Sequence, residues 1–196
     1  FIVGVLWRLL GVFLLRGRKD LSEPRNRAAW KGLRLIALRS WPRREFLGGT
    51  AFGEVMGYAF HLGFLLTLFF YVPHVLFFAD VARGLVGTDL RGLAGFAWPT
   101  LPNGVITLLA GISIAALVAV LVHRLVNPVK RLISNFDDYF SWFVTIAPLV
   151  TGLAAFAHLA GWPYERLLAW HLLSVELLLV WFPFGKLMHA FTIFAA

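Results

Sequence analysis

The chain has 196 residues, of which 60% are hydrophobic and only 14% charged, with a mean hydropathy of +0.78 and a formal net charge of +8. Soluble domains run at roughly 45–50% apolar and about 25% charged, so an ordinary globular enzyme and a disordered tail are both excluded. Continuous apolar runs rather than alternating ones exclude a β-barrel, and the absence of cysteine excludes disulfides, iron–sulfur ligation, thiol catalysis and covalent c-type haem attachment within this chain.

Five apolar blocks succeed one another, near 1–15, 51–79, 104–122, 140–160 and 167–194. A membrane helix needs about 20 apolar residues, so the chain reads as an all-α membrane protein. It would be a single domain, 1–196, with five transmembrane helices. The first block is short, and Phe1 reads as the start of a segment of a longer chain. Trp98-Pro99-Thr100-Leu101-Pro102-Asn103-Gly104 and similar Pro/Gly stretches mark the turns between spans.

Between the first two blocks lies a basic loop, about 16–48. It carries Arg16, Arg18, Lys19, Arg25, Arg27, Lys31, Arg34, Arg39, Arg43 and Arg44. The loop after the third span has Arg124, Lys130 and Arg131. The second loop has only Arg83 and Arg91, and the fourth only Arg166. By the positive-inside rule loops one and three are cytoplasmic, with the N-terminus outside and the C-terminus inside. The first loop also holds Trp30, Leu33, Leu35, Ile36 and Trp41. It reads either as a retention signal against anionic lipid heads or as a docking surface for a soluble subunit. The segregation of charge by loop argues for a cell-membrane protein rather than a nucleic-acid binder.

Six histidines remain to be placed. Ionisable groups inside a membrane are costly and point to function. His61 and His74 fall in the second span, His171 and His189 in the fifth, His123 at the inner end of the third, and His158 near the outer end of the fourth. His171 and His189 are 18 residues apart, five turns of one helix and about 27 Å of rise. His61 and His74 are 13 apart, which does not put them on one face, although Pro73 kinks or bulges a helix and re-aims the residues after it. The second span runs inside to outside and the fifth runs back. Antiparallel packing therefore sets His61 against His189 and His74 against His171. Two imidazole pairs at two depths match two stacked b-type haems with no open iron site, an arrangement for electron transfer. Gly49, Gly53 and Gly57 lead to His61 at intervals of four, a small-residue stripe that admits a porphyrin or a neighbouring helix. Lys186 and Arg166 would either balance haem propionates or anchor the boundary.

The run His171-Leu-Leu-Ser-Val-Glu176-Leu-Leu-Leu-Val-Trp-Phe-Pro183-Phe184-Gly-Lys186-Leu-Met-His189 resembles the fifth-helix signature of the respiratory nitrate reductase gamma subunit. Phe60-His61-Leu-Gly63 resembles its second-helix motif. The second-helix histidines are farther apart here than in that subunit, and Pro183-Phe184-Gly185-Lys186-Leu187-Met188-His189-Ala190 is similar to the cytochromes of heterodisulfide-reductase-type and Dsr-type complexes. The resemblance implies a membrane-anchoring di-haem cytochrome b of the cytoplasmic membrane. It would pass electrons between quinone or quinol and an iron–sulfur or molybdenum subunit on the cytoplasmic side. His61 and His189 would hold the inner haem, His74 and His171 the outer. A quinone site is expected beside the outer haem, with Asp80, His158 and Glu176 as proton-exchanging candidates. The alternative class is a non-redox transporter or anchor whose histidines relay protons.

Overall fold

The computed structural model of the chain describes residues 1–14, 29–39, 47–87 and 98–192. Helices α1 (Ile2–Leu14) and α2 (Ala29–Arg39) precede α3 (Leu47–Phe70), α4 (Val72–Val86), α5 (Asn103–Val126), α6 (Pro128–Leu132), α7 (Phe136–Phe156), α8 (Tyr164–Trp181) and α9 (His189–Thr192). Three of them, α3, α5 and α7, are long and apolar enough to cross a membrane. A fourth crossing is made if α8 and the 186–192 segment form one bent span; α1 is apolar but only 13 residues long.

Local sequence explains where the helices begin and end. Asn127 closes α5 and its side chain accepts the Lys130 amide at the start of α6, with Pro128 in the first turn. Asn135 and Asp138 exchange backbone bonds at the head of α7, a capping box that satisfies two otherwise orphaned donors. Gly87 ends α4 in the left-handed region at φ 69° and returns its amide to Arg83.

α3, α5, α7 and α8 form an up-and-down antiparallel set. α3 and α5 share one long seam and α7 and α8 another, with a smaller seam between α5 and α7. Phe60 lies beside Ser113, and the Phe52 ring meets His123 with centroids 4.5 Å apart, so α3 and α5 run in opposite directions. Trp142 Nε1 donates to the Leu117 carbonyl at 2.8 Å, and Leu117, Ile146 and Leu149 form the buried centre with Phe60, Phe64, Ile114 and Trp142 against it. The α3–α5 seam is close because residue 63 is glycine. A Cβ there would overlap Ser113 Oγ and sit 2.8 Å from the Leu109 carbonyl oxygen. Ser113 itself is fully buried and donates to Leu109. α1 packs on the turn after α8, with Gly4 against Pro183 and Phe1 edge-on to Phe182.

Two expected single helices are broken instead. The second span stops at Phe70 and restarts at Val72. Pro73 has no amide to give Phe69, and the Phe69 carbonyl is taken by Trp98 Nε1 at 2.8 Å while Phe70 accepts from the Leu101 amide at 2.9 Å. The fifth span ends at Trp181, turns through 182–185, and continues at 79° to its former direction. The five-turn, one-face relation of His171 to His189 therefore does not hold. Pro183 cannot extend the helix, and the Trp181 carbonyl is capped by the Phe184 and Gly185 amides. Of the basic first loop, 29–39 is helical, with Trp30 and Leu33 exposed. Arg16, Arg18, Lys19, Arg25, Arg27, Trp41, Arg43, Arg44 and, in the second loop, Arg91 lie outside the described residues.

Candidate functional site

The antiparallel set places histidines of the first hairpin opposite those of the second. The His61 ring faces His189 with centroids 6.0 Å apart and planes crossed at 82°. His74 faces His171 at 6.1 Å with planes only 13° apart. With a metal–imidazole bond of about 2 Å and roughly 1.1 Å from ring nitrogen to ring centre, two imidazoles in line across one metal have centroids about 6 Å apart. Both pairs have that spacing.

Hydrogen bonding fixes the same tautomer in all four rings. Nδ1 of His61 lies 2.7 Å from the Gly57 carbonyl oxygen, and Nδ1 of His74 3.2 Å from that of Thr67. Nδ1 of His171 is 3.1 Å from the Pro148 carbonyl and Nδ1 of His189 2.8 Å from the Lys186 carbonyl. A carbonyl only accepts, so each Nδ1 carries the proton and donates it. That leaves Nε2 as the basic nitrogen, the arrangement in which an acceptor behind the ring orients a ligating imidazole. The other two histidines differ. His123 Nδ1 is 3.2 Å from the Lys130 ammonium, which must donate to it. His158 is exposed, sits at φ 50° and stacks on Tyr164 at 5.6 Å.

Each of the four is placed by a local feature. His61 lies one turn after Gly57 in α3. The His74 ring reaches back across the α3–α4 break to the Thr67 carbonyl, seven residues before it. His171 lies flat against α7 because residue 152 is glycine: a Cβ there would be 2.9 Å from its Cε1 and 3.1 Å from Nδ1. Thr151 Oγ1 sits 3.4 Å from the same Nδ1 and 2.9 Å from Ser174 Oγ. His189 starts α9, just past the bend.

Room for a flat ligand exists where it is needed. A Cβ on Gly49, Gly53 or Gly57 would meet nothing within 4 Å, so the glycine stripe of α3 packs against no described helix. His61 and His189 are both exposed although their rings face each other. Among the described residues no three of His, Asp and Glu converge as a closed metal-ion site does; the histidines come in twos. The donor set and spacing fit a hexacoordinate iron in a macrocycle.

Several expected partners are placed otherwise. Lys186 is paired with Asp138 at 2.7 Å, which also binds Arg124 at 3.1 Å, so its ammonium is committed to α7 rather than held for a propionate. Glu176 is exposed on α8. An apolar cavity of about 290 Å³ opens between α7 and α8, lined by Thr151, Ala154, Trp162, Leu167 and Trp170. Neither His158 nor Glu176 is among those residues. Three carboxylates escaped the reading of the sequence: Asp137 and Asp138 at the head of α7, and Glu54 in α3. Glu54 accepts from Thr50 at 2.7 Å through one oxygen, while the other is buried with no hydrogen-bond partner. A carboxylate inside the second apolar block is the signal that could have found it.

No family model matches the chain, and no solved structure matches it. A curated protein of Nitratidesulfovibrio vulgaris (strain Hildenborough), which carries the description "Protein", is 29% identical over 189 residues. That stretch is 96% of this chain and 75% of the relative.

Proposed function

We propose that the chain is a membrane-anchored di-haem cytochrome b subunit that exchanges electrons between quinones and a redox partner on the cytoplasmic side. One observation carries the reading: two facing histidine pairs, each at the spacing of a shared axial metal, with all four Nδ1 protons given to backbone carbonyls. His61 and His189 hold one haem toward the end of the bundle that carries Arg124, Lys130 and Lys186. His74 and His171 hold the other toward the opposite end. Bound there, the two groups would supply one-electron carriers at two depths, each held by two imidazoles, an arrangement suited to electron transfer. The protein's part is to fix the tautomer, clamp the ring planes and exclude bulk water.

The quinone site belongs to the same reading and lies at the His74–His171 end. The open apolar cavity between α7 and α8 supports it, since two indoles line its walls and Thr151 links it to the His171 ring. Its volume is at the lower limit of ordinary ligand pockets, about 300 Å³, enough for a quinone head group whose tail remains in lipid.

The test is spectroscopic. Detergent-purified protein is expected to be red and to contain two haem b per chain. Oxidised, it should give two low-spin signals in electron paramagnetic resonance. Crossed imidazole planes leave two iron orbitals nearly equal in energy, so the His61–His189 site gives a highly anisotropic signal at low field. The near-parallel His74–His171 planes split those orbitals and give a rhombic signal. A quinol analogue should reduce both. Colourless protein that takes up no haem on reconstitution would overturn the reading and favour a histidine proton relay.

Orientation is read from the charge. Arg124, Lys130, Arg131 and Lys186 gather at one end of the antiparallel set, and that end is the cytoplasmic one. A phosphatase reporter active only outside the membrane, fused after Ala196, is expected to be silent. Strong activity would invert the topology and exchange the roles of the two sites.

A further inference from the structure

A ligand on an unbroken helix is aimed by that helix. His171 has such support inside α8, but His189 does not, because α8 ends eight residues before it. Something other than helical register must fix the direction of its ring. The four residues ahead of His189 are pressed against the first turn of α7. Asp137 Oδ1 accepts the Lys186 amide at 3.2 Å and the Ser141 hydroxyl at 2.6 Å. Ser141 Oγ in turn accepts from Trp181 Nε1 at 2.9 Å, which ties the last residue of α8 to the same point. Asp138 Oδ1 binds the Lys186 ammonium and Arg124, and its side chain is only 6% exposed. Gly185 completes the contact. A Cβ there would stand 2.9 Å from both Asp137 Oδ1 and Ser141 Oγ and overlap Trp181 Nε1. Lys186 is thus held at its amide by Asp137 and at its ammonium by Asp138. Its carbonyl is the group that accepts the His189 Nδ1 proton at 2.8 Å.

We propose that Asp137 and Asp138 are the positioning residues of His189, acting through Lys186 to set the plane of the imidazole that crosses His61 at 82°. The proposal rests on the di-haem reading. It adds that the site at the basic end is aimed by an electrostatic clamp on a neighbouring helix, whereas at the other site His171 is aimed by α8 against α7 and His74 by its bond to Thr67 across the α3–α4 break. Arg124, at the end of α5, belongs to the clamp as the second cation on Asp138, and it is itself held by Ser134 Oγ at 2.9 Å. Three helices therefore meet in the placement of one ring.

Asp138→Asn is the decisive variant. The amide keeps an oxygen for the Asn135 cap but loses the charge that holds Lys186 and Arg124. Removing the group that orients a metal-bound histidine costs about 10- to 100-fold in metal retention. The variant is expected to hold the His61–His189 haem that much more weakly. The haem that remains there should change its low-field signal and midpoint potential, while the rhombic signal and potential of the His74–His171 haem stay parental. Lys186→Met should displace the same signal, and the double variant should be no worse than Asp138→Asn alone, since both act through one contact. Lys186 is half exposed, so its variant carries the test if Asp138→Asn does not yield folded protein. A parental low-field signal and potential in the variants, or equal loss of both haems, overturns the proposal. The parental protein separates the two failures. Two haems there with unaltered variants defeats the clamp alone; no haem there defeats the di-haem reading and the clamp with it.

Discussion

On the di-haem reading, replacing His189 by Ala is expected to halve the haem content, from two per chain to one, and to do so selectively. His189 is the ring that faces His61. Without it His61 alone would remain to hold that haem, and a b-type haem has no covalent link to keep it in place. The second pair is built from other parts, the α3–α4 break and the slot at Gly152, so its haem should stay. In the spectrum the low-field anisotropic signal disappears and the rhombic one persists. His171→Ala should give the mirror image, retaining the low-field signal. Haem-to-protein ratio by pyridine haemochrome, with paramagnetic resonance on the same sample, checks both. Two haems retained in the His189→Ala protein would show the pairing to be wrong.

Gly152→Val tests the opposite site by steric means, leaving every histidine in place. The first added carbon falls 2.9 Å from His171 Cε1, closer than real neighbours come, and 3.1 Å from Nδ1, and valine adds two methyls beyond it. The imidazole cannot retreat freely, because its Nδ1 is tied to Pro148 and sits beside Thr151. Either the ring swings off the His74 axis or α7 and α8 part. Overpacking of this kind costs about 1–3 kcal/mol, which a bundle of this size survives. Loss of the rhombic signal is therefore expected with the chain still folded, together with a lowered melting temperature. Gly111→Ala is the control, since a Cβ there meets nothing within 4 Å and should change neither quantity. A Gly152→Val protein with both signals intact would mean that the His171 slot has no part in holding the site.

The pairing of the histidines was legible in the sequence because it depends only on chain direction. Alternating spans bring an early residue of one beside a late residue of the next antiparallel neighbour, and that relation survives a kink. What was not legible was the path between the paired histidines. Counting turns over 171–189 assumes one helix, and Pro183 with Gly185 breaks it. Pro73 could be recognised as a helix breaker. Its outcome depended on Trp98 and Leu101 arriving from the next turn to take the freed carbonyls, which are long-range contacts with no local signature. Lys186 illustrates the same limit. Its position near His189 suggested a propionate partner, whereas the buried Asp138, forty-eight residues earlier in the chain, claims it. Of the five expected spans, α3, α5 and α7 are long and apolar enough to cross a membrane, and a fourth crossing is made if the bent α8–α9 unit is one span.

The seams of the bundle bear on how such a protein is made. α3 with α5, and α7 with α8, are each joined along their length, while the α5–α7 contact between the hairpins is narrower. Each of the two histidine pairs takes one member from α3 or α4 and the other from α8 or α9. In two-stage membrane folding, helices insert first and associate afterwards. Here each hairpin can leave the translocon as a finished half, and the halves then meet on the Leu117–Ile146–Leu149 core and the Trp142–Leu117 bond. On the di-haem reading, cofactor capture is then the closing event of biogenesis. A species that binds only the docked state shifts the docking equilibrium by mass action, so haem supply governs how much of the newly inserted chain matures before membrane proteases reach it.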